Sequence, residues 1–216
     1  MLRRLALVFF LALPAVAAAQ GFSSAFEFSH AQTGFDINGS TYKTHITEAG
    51  IQLGHYWYHH LVDVAFRGGY LGVTQDTNPA LTGLNLGGYY AGASITSFIP
   101  IQKIWGFTLE LAGTYHRVSD SVGPEQYRLR WLGVASRAGA WYRLWAARFS
   151  AGLYVRNFSG SQLLSGKTNV TSPIAGDTLS GFYAGLSFYT SPHGRVAFFA
   201  DTGSYQSLML SFRYGF

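Results

Sequence analysis

A two-residue alternation runs through almost the whole chain, and its apolar face is of the wrong kind for a water-soluble sheet. Trp105, Phe107, Leu109, Leu111 and Tyr115 alternate with Thr108, Glu110, Ala112 and Thr114. Phe22, Phe26, Phe28 and His30 oppose Ser23, Ala25, Glu27 and Ser29, and Val62, Val64, Phe66 and Tyr70 oppose Asp63, Ala65, Arg67 and Gly69. The same pattern recurs over Glu48 to Trp57, Tyr89 to Ile99, Ala147 to Val155 and Phe182 to Phe188. Successive side chains of a β-strand point to opposite faces, so each segment is a strand with one apolar face. Here that face is large and aromatic, while the other carries glycine, serine and full charges. The inversion predicts an all-β fold, a transmembrane antiparallel up-and-down barrel with lipid outside and a polar lumen inside. Closure is required, because a sheet edge in hydrocarbon leaves peptide groups unpaired.

Composition agrees. Charged residues are 12%, about half the usual ~25%, aromatics are 17%, and 26 of 216 residues are glycine. No mature segment is a continuous apolar run long enough for a membrane helix, which needs about 20 residues. The chain has no cysteine, which fits an exported protein folding without disulfides.

The N-terminus reads as a secretory signal. Arg3 and Arg4 form a basic start, Leu5 to Leu13 an apolar run, and Ala17-Ala18-Ala19 a small-residue cleavage site. The domains are therefore a signal peptide at 1–19 and one barrel at 20–216. Loss of Arg3 and Arg4 lowers the formal charge from +5 to +3, too mild and dispersed for nucleic-acid binding.

At the other end, Leu208, Leu210, Phe212, Tyr214 and Phe216 alternate with Met209, Ser211, Arg213 and Gly215. This segment resembles the closing strand of outer-membrane barrels. In those proteins the C-terminal aromatic is read by the barrel-assembly machinery, so the resemblance implies an assembly signal in Phe212, Tyr214 and Phe216. Over the whole mature chain the pattern is similar to small Gram-negative outer-membrane barrels of the OmpA-like and porin-like class. The resemblance implies location in the cell outer membrane, with lipid, lipopolysaccharide and the assembly machinery as partners. It implies no cofactor.

Connections alternate in length. Tyr58 to His60, Pro100 to Lys103, Tyr142 to Leu144 and Ser191 to Gly194 are short, as periplasmic turns are. Ala31 to Lys43, Thr74 to Leu84, Ser119 to Glu125 and Asn157 to Asp177 are longer and polar, as outer loops are, with a tight last loop at Asp201 to Gln206. The count is ten strands, with eight as the alternative. Asn157 to Asp177 is expected to be the longest and most mobile loop. Between Tyr127 and Tyr142, either a bulge near Gly133 resets the register or Arg128 and Arg130 face outward above the hydrocarbon, among lipid phosphates.

The polar phases place Glu27, Glu48, Asp63, Arg67, Glu110, Arg137, Arg148, Arg156 and Arg213 in the lumen. Confined charges must pair, and a barrel this small is mostly filled by its own side chains. The lumen is expected to be plugged by carboxylate–guanidinium contacts, with the protein in a structural or surface-interaction role. A small ion or solute pore is the alternative. Trp57, Trp105, Trp141 and Trp145 stand beside the short turns, where indoles form a headgroup-level girdle.

A lipid A hydrolase or acyltransferase is a further alternative, with His30, His45 and His116 as its candidates. Only His116, Arg117, Ser119 and Asp120 cluster, and only in sequence; there is no nucleophile elbow, so no catalytic residue is assigned. His55, His59 and His60 lack supporting carboxylates or cysteines, so no metal site is assigned either.

Overall fold

The computed structural model describes residues 21–57, 61–76, 78, 81, 84–122, 125–166, 169–175 and 178–216. The expected signal segment, 1–19, lies outside them. Eleven strands follow in chain order: β1 (Phe22–Ile37), β2 (Ser40–Trp57), β3 (Val62–Gln75), β4 (Leu86–Gln102), β5 (Trp105–Val122), β6 (Glu125–Leu144), β7 (Ala147–Ser165), β8 (Val170–Ala175), β9 (Leu179–Tyr189), β10 (Gly194–Gly203) and β11 (Gln206–Gly215). β1 to β7 pair in sequence, β7 continues to β9, and β9, β10 and β11 follow. β11 pairs with β1 from Ser23↔Gly215 to Gln32↔Gln206. The ring is antiparallel, closed and ten-stranded, as the alternation predicts.

The eleventh strand follows from uneven strand length. β6 has 20 residues and β7 has 19, whereas β9 has 11 and β10 and β11 have 10 each. A tilted membrane strand needs about 9–11. β9 to β11 therefore just cross, while the other strands rise past them at the end remote from the termini. β8 occupies the gap above the short strands. It pairs with β7 at Leu164↔Val170 through Ser159↔Ala175, and with β1 at Ile37↔Ile174. The wall thus has ten strands around its middle and eight at this loop end.

Three expected outer loops are strands instead. Ala31 to Lys43 continues β1 and β2 to a two-residue turn at Asn38-Gly39, with φ of 53° and 78°. Asn-Gly with both residues left-handed is the favoured hairpin turn. Ser119 to Glu125 is mostly strand, with Val122↔Glu125 as its last pair. Asn157 to Asp177, expected to be the longest mobile loop, is largely the paired β7–β8 hairpin. Likewise Asp201 belongs to β10, not to the last turn.

These segments hid because their apolar residues change faces. On β1 the exposed residues are Phe26 and Phe28, but higher up the apolar ones are Phe35 and Ile37, which point inward and are buried. β3 switches from exposed Phe66 and Tyr70 to buried Leu71 and Val73, and β7 from exposed Leu153 and Val155 to buried Phe158. The strand period is unbroken; only the solvent outside has changed, from lipid to water. At the loop end, Phe35, Leu71, Leu129, Trp131 and Val118 are fully buried and belong to one apolar cluster.

β6 keeps one register against β5 and β7 throughout. No bulge forms at Gly133. Arg137 points inward, and Arg128 and Arg130 point outward near the loop end.

The orientation is directly testable. A single Thr171→Cys at the β7–β8 hairpin is expected to react with a membrane-impermeant maleimide on intact cells. Ser191→Cys at the opposite end is expected to react only after the outer membrane is opened. The reverse pattern would mean that the barrel is inverted.

Candidate functional site

Inward alternation brings the expected lumen charges together below the apolar cluster. Strand pairing adds partners that sequence spacing did not reveal. Arg213 on β11 donates to Asp63 Oδ2 on β3 at 2.7 Å and to the Tyr56 hydroxyl at 2.8 Å. Arg137 on β6 donates from Nη2 to both oxygens of Asp201 on β10, at 2.9 and 2.7 Å, and stands 3.7 Å from Glu110. Asp201 also accepts from Ser207 Oγ at 2.8 Å. His116 meets Glu48 Oε1 at 2.9 Å, and its ring stacks on Trp131 at 4.6 Å and 7°. Glu48 accepts a second bond from Ser29. Arg67 donates to Thr114 Oγ1 at 2.5 Å. Glu27 lines the same cavity.

Two expected members of the carboxylate–guanidinium network are held differently. Arg156 packs over the Tyr205 ring at 3.9 Å, and Arg148 lies 5.0 Å from the Trp141 ring and 5.5 Å from Phe98. Neither makes an ion pair among the described residues. A guanidinium is attracted by the electron-rich face of an aromatic ring, and the gain rises when water is excluded. Tyr205 is fixed in turn: the Tyr154 hydroxyl donates to its carbonyl at 2.6 Å and accepts from its N–H at 3.2 Å. Asp201, His116 and Tyr205 are the interior groups that sequence reasoning missed. The inward phase of β10 was the one signal for Asp201.

The cavity enclosed by these residues measures about 190 Å³. At roughly 10–15 Å³ of accessible space per water it has room for on the order of fifteen molecules. The apolar cluster lies at its loop end. At the turn end it adjoins a vestibule of about 1000 Å³, whose lining includes Arg143, Arg148, Arg195, Tyr189 and Trp141.

The four turn-side tryptophans all lie at the turn end, but they do not share a face. Trp57 and Trp145 are exposed, at 53% and 89%. Trp105 is half-buried against Phe107. Trp141 is a correction to the expected girdle: it stands on the inward phase of β6, is 8% exposed and packs on Arg148. Trp145 takes a φ of 52° in a two-residue turn. A left-handed residue costs about 1–2 kcal/mol, which glycine or asparagine would avoid. Where its ring points, rather than turn geometry, explains the residue.

Phe212 and Tyr214 are exposed on the outward face of β11. The Phe216 N–H donates to the Phe22 carbonyl at 2.8 Å. His55 packs against Phe22 and Trp57; His59 and His60 lie outside the described residues.

The sequence cluster at His116 is split by strand parity, with His116 inside and Arg117 outside. A different histidine pair lies on the outward surface. His30 Nδ1 is 3.0 Å from Thr47 Oγ1, His45 Nε2 is 3.0 Å from Asp76, and the two rings stack at 5.9 Å. Thr47 stands mid-strand, with β1 on one side and β3 on the other. Its neighbouring peptide N–H groups belong to the ladder, so no pair of free donors is set to hold an oxyanion.

No family model and no curated protein matches the sequence. Solved structures do match the fold. The outer membrane protease OmpT from Escherichia coli is 10% identical, with 90% of this chain and 97% of that one covered at a TM-score of 0.54. The translocator domain of the autotransporter NalP from Neisseria meningitidis is 10% identical, covering 98% and 96% at 0.50. The β domain of the Bordetella autotransporter BrkA is 14% identical, covering 92% and 100%, also at 0.50. The fold is that of the Gram-negative outer-membrane β-barrels.

Two measurements probe the interior and the aromatic rim. Asp201→Asn is expected to cost about 3 kcal/mol in reversible unfolding, because it removes the carboxylate that holds a buried guanidinium at the shorter distance and leaves only the Glu110 contact. Glu110→Gln, at a longer and wetter contact, is expected to cost about 1 kcal/mol. Equal losses would mean that Arg137 does not depend chiefly on Asp201. In single-tryptophan variants reconstituted in vesicles, lipids brominated near the headgroup are expected to quench Trp57 and Trp145 and to spare Trp141.

Proposed function

We propose that the protein is a non-enzymatic outer-membrane barrel, closed to passage, with a structural or surface-interaction role carried by the wall that rises past the membrane. One observation supports this reading: buried apolar side chains, Phe35, Leu71, Leu129 and Trp131 among them, cluster inside the barrel above the charged cavity. Transfer of an ion into so buried a region is costly without a partner, and polar side chains buried at the same end, Thr44, Gln75 and Asn78, are bonded to one another. The paired charges below it hold strands that are distant in sequence, β3 to β11 and β6 to β10, in register. The exposed hairpins β1–β2 and β7–β8 are the surface offered to the exterior. Exposed Phe212 and Tyr214 at the β1–β11 seam fit recognition by the assembly machinery.

A small pore is the second reading, and the arginine-lined vestibule at the turn end favours it. That vestibule, however, leads into the charged cavity, which has the apolar cluster at its far end. An acyl hydrolase is disfavoured by the mid-strand, ladder-bound position of Thr47 beside His30.

Planar-bilayer recording of the purified wild-type protein is expected to show no stable openings, and Arg148→Ala is expected to stay silent as well. Stable, ion-selective openings from the wild type would replace the closed barrel with the pore. In the same preparation, lipid A incubated with the protein is expected to keep all its acyl chains by mass spectrometry. Acyl loss that disappears in His30→Ala would make the protein an enzyme.

A further inference from the structure

The outward face of β5 and β6 carries three arginines that the lumen network does not use. Strand pairing places them together. Arg117 lies directly across from Arg130, and Arg128 lies across from Ser119, one same-face row further toward the loop end. Directly opposed residues have Cβ atoms about 4.5–5.5 Å apart, and like charges in such positions repel. None of the three makes an ion pair among the described residues. The nearby carboxylates are otherwise engaged: Asp120 accepts the Ser121 N–H, and Glu125 accepts the Tyr127 hydroxyl. Arg130 spends one donor on Ser161 Oγ at 2.9 Å, which orients its guanidinium and leaves the other donors free.

Height on the barrel decides what neutralises them. One pairing row runs Tyr70↔Tyr89↔Arg117↔Arg130. The next row toward the turn end pairs Tyr115 with Leu132. Tyr70, Tyr89, Tyr115, Leu132 and Val134 are all exposed on the outward face. Tyrosines of this kind mark the level where hydrocarbon gives way to headgroups. On the inner side of the same wall, the apolar cluster begins at Leu129 and Trp131. The arginines therefore stand just above the hydrocarbon edge at the loop end, outside the wall, at the level of lipid phosphates.

We propose that Arg117, Arg128 and Arg130 form a binding site for the phosphate of a phosphorylated glycolipid headgroup in the outer leaflet. Guanidinium groups match phosphate bidentately. A bound phosphate turns the Arg117–Arg130 repulsion into a shared attraction, and the acyl chains of the same lipid run down over Tyr115, Leu132 and Val134. The site lies outside the wall, so it is independent of whether the lumen is closed.

The full-length mature protein, refolded and purified in a non-ionic detergent, is titrated with diphosphoryl lipid A and read by native mass spectrometry. The same lipid with both phosphates removed, and inorganic phosphate, are the comparison probes. Wild type is expected to retain diphosphoryl lipid A and to bind the dephosphorylated form about tenfold or more weakly, the scale of a lost charge-assisted hydrogen bond. Arg117→Gln combined with Arg130→Gln is expected to lose the difference between the two lipids. Arg143→Gln, at the turn end, is expected to keep it. Heat-dependent gel mobility confirms that each variant is folded, and removal of two like charges is not expected to unfold the wall. Equal retention of both lipids by wild type would overturn the proposal, as would an undiminished preference in the double variant. Displacement of the lipid by inorganic phosphate at equal concentration would also overturn it, by making the occupant a free ion.

Discussion

A peptide group left unpaired in hydrocarbon has no water to turn to, and the cost per group is large enough to exclude open sheet edges from a bilayer. The ladder between β1 and β11, from Ser23↔Gly215 to Gln32↔Gln206, removes both edges at once. Closure then imposes parity on every strand: one set of side chains goes to lipid and the other to a confined interior. Glu27, Asp63, Arg137 and Arg213 are interior because of that parity. So are the Arg213–Asp63 and Arg137–Asp201 pairs, which join strands that are neighbours in neither sequence nor sheet.

Parity does not say which face is apolar; the surroundings do. Within the membrane the large apolar residues face out and the interior is charged. Toward the loop end the same strands carry Phe35, Leu71, Leu129 and Phe158 inward, as a water-soluble barrel would. The molecule is a membrane barrel and a soluble barrel built on one continuous set of strands. The reversal marks the edge of the hydrocarbon. Arg128 and Arg130 stand outward next to buried Leu129 and Trp131, which is the reversal seen on a single strand.

The membrane storey was legible in the sequence because its signal is redundant: Trp105 to Tyr115 announces an outward apolar face in one strand, and the other strands repeat it. The soluble storey was misread as loops. Its inward residues are interspersed with serine, threonine and glycine on a wetted outer face, and a search for outward aromatic rows passes over them. Asn38-Gly39 was the missed marker, since that dipeptide calls for a tight hairpin and not a long loop. Parity gives the phase of the charged residues, but their partners depend on ring geometry. Nothing local in Asp201 or Tyr205 points to Arg137 or Arg156. Trp141 stands beside a turn, but its inward phase on β6, and not that nearness, decides which face its ring takes.

β8 is short and, among the described residues, meets β1 at Asp36↔Ala175 and Ile37↔Ile174, with Asn38 Nδ2 donating to Ser172 Oγ at 2.8 Å. These contacts join positions more than 130 residues apart in the chain. They become available only when β1 and β7 stand side by side at the top of the wall, and that happens only after β9, β10 and β11 have brought the ring together beneath them. The hairpin is in effect a clasp that engages last. A barrel arrested before closure keeps the clasp open, with the inward faces of Ile174 and Phe35 still wetted.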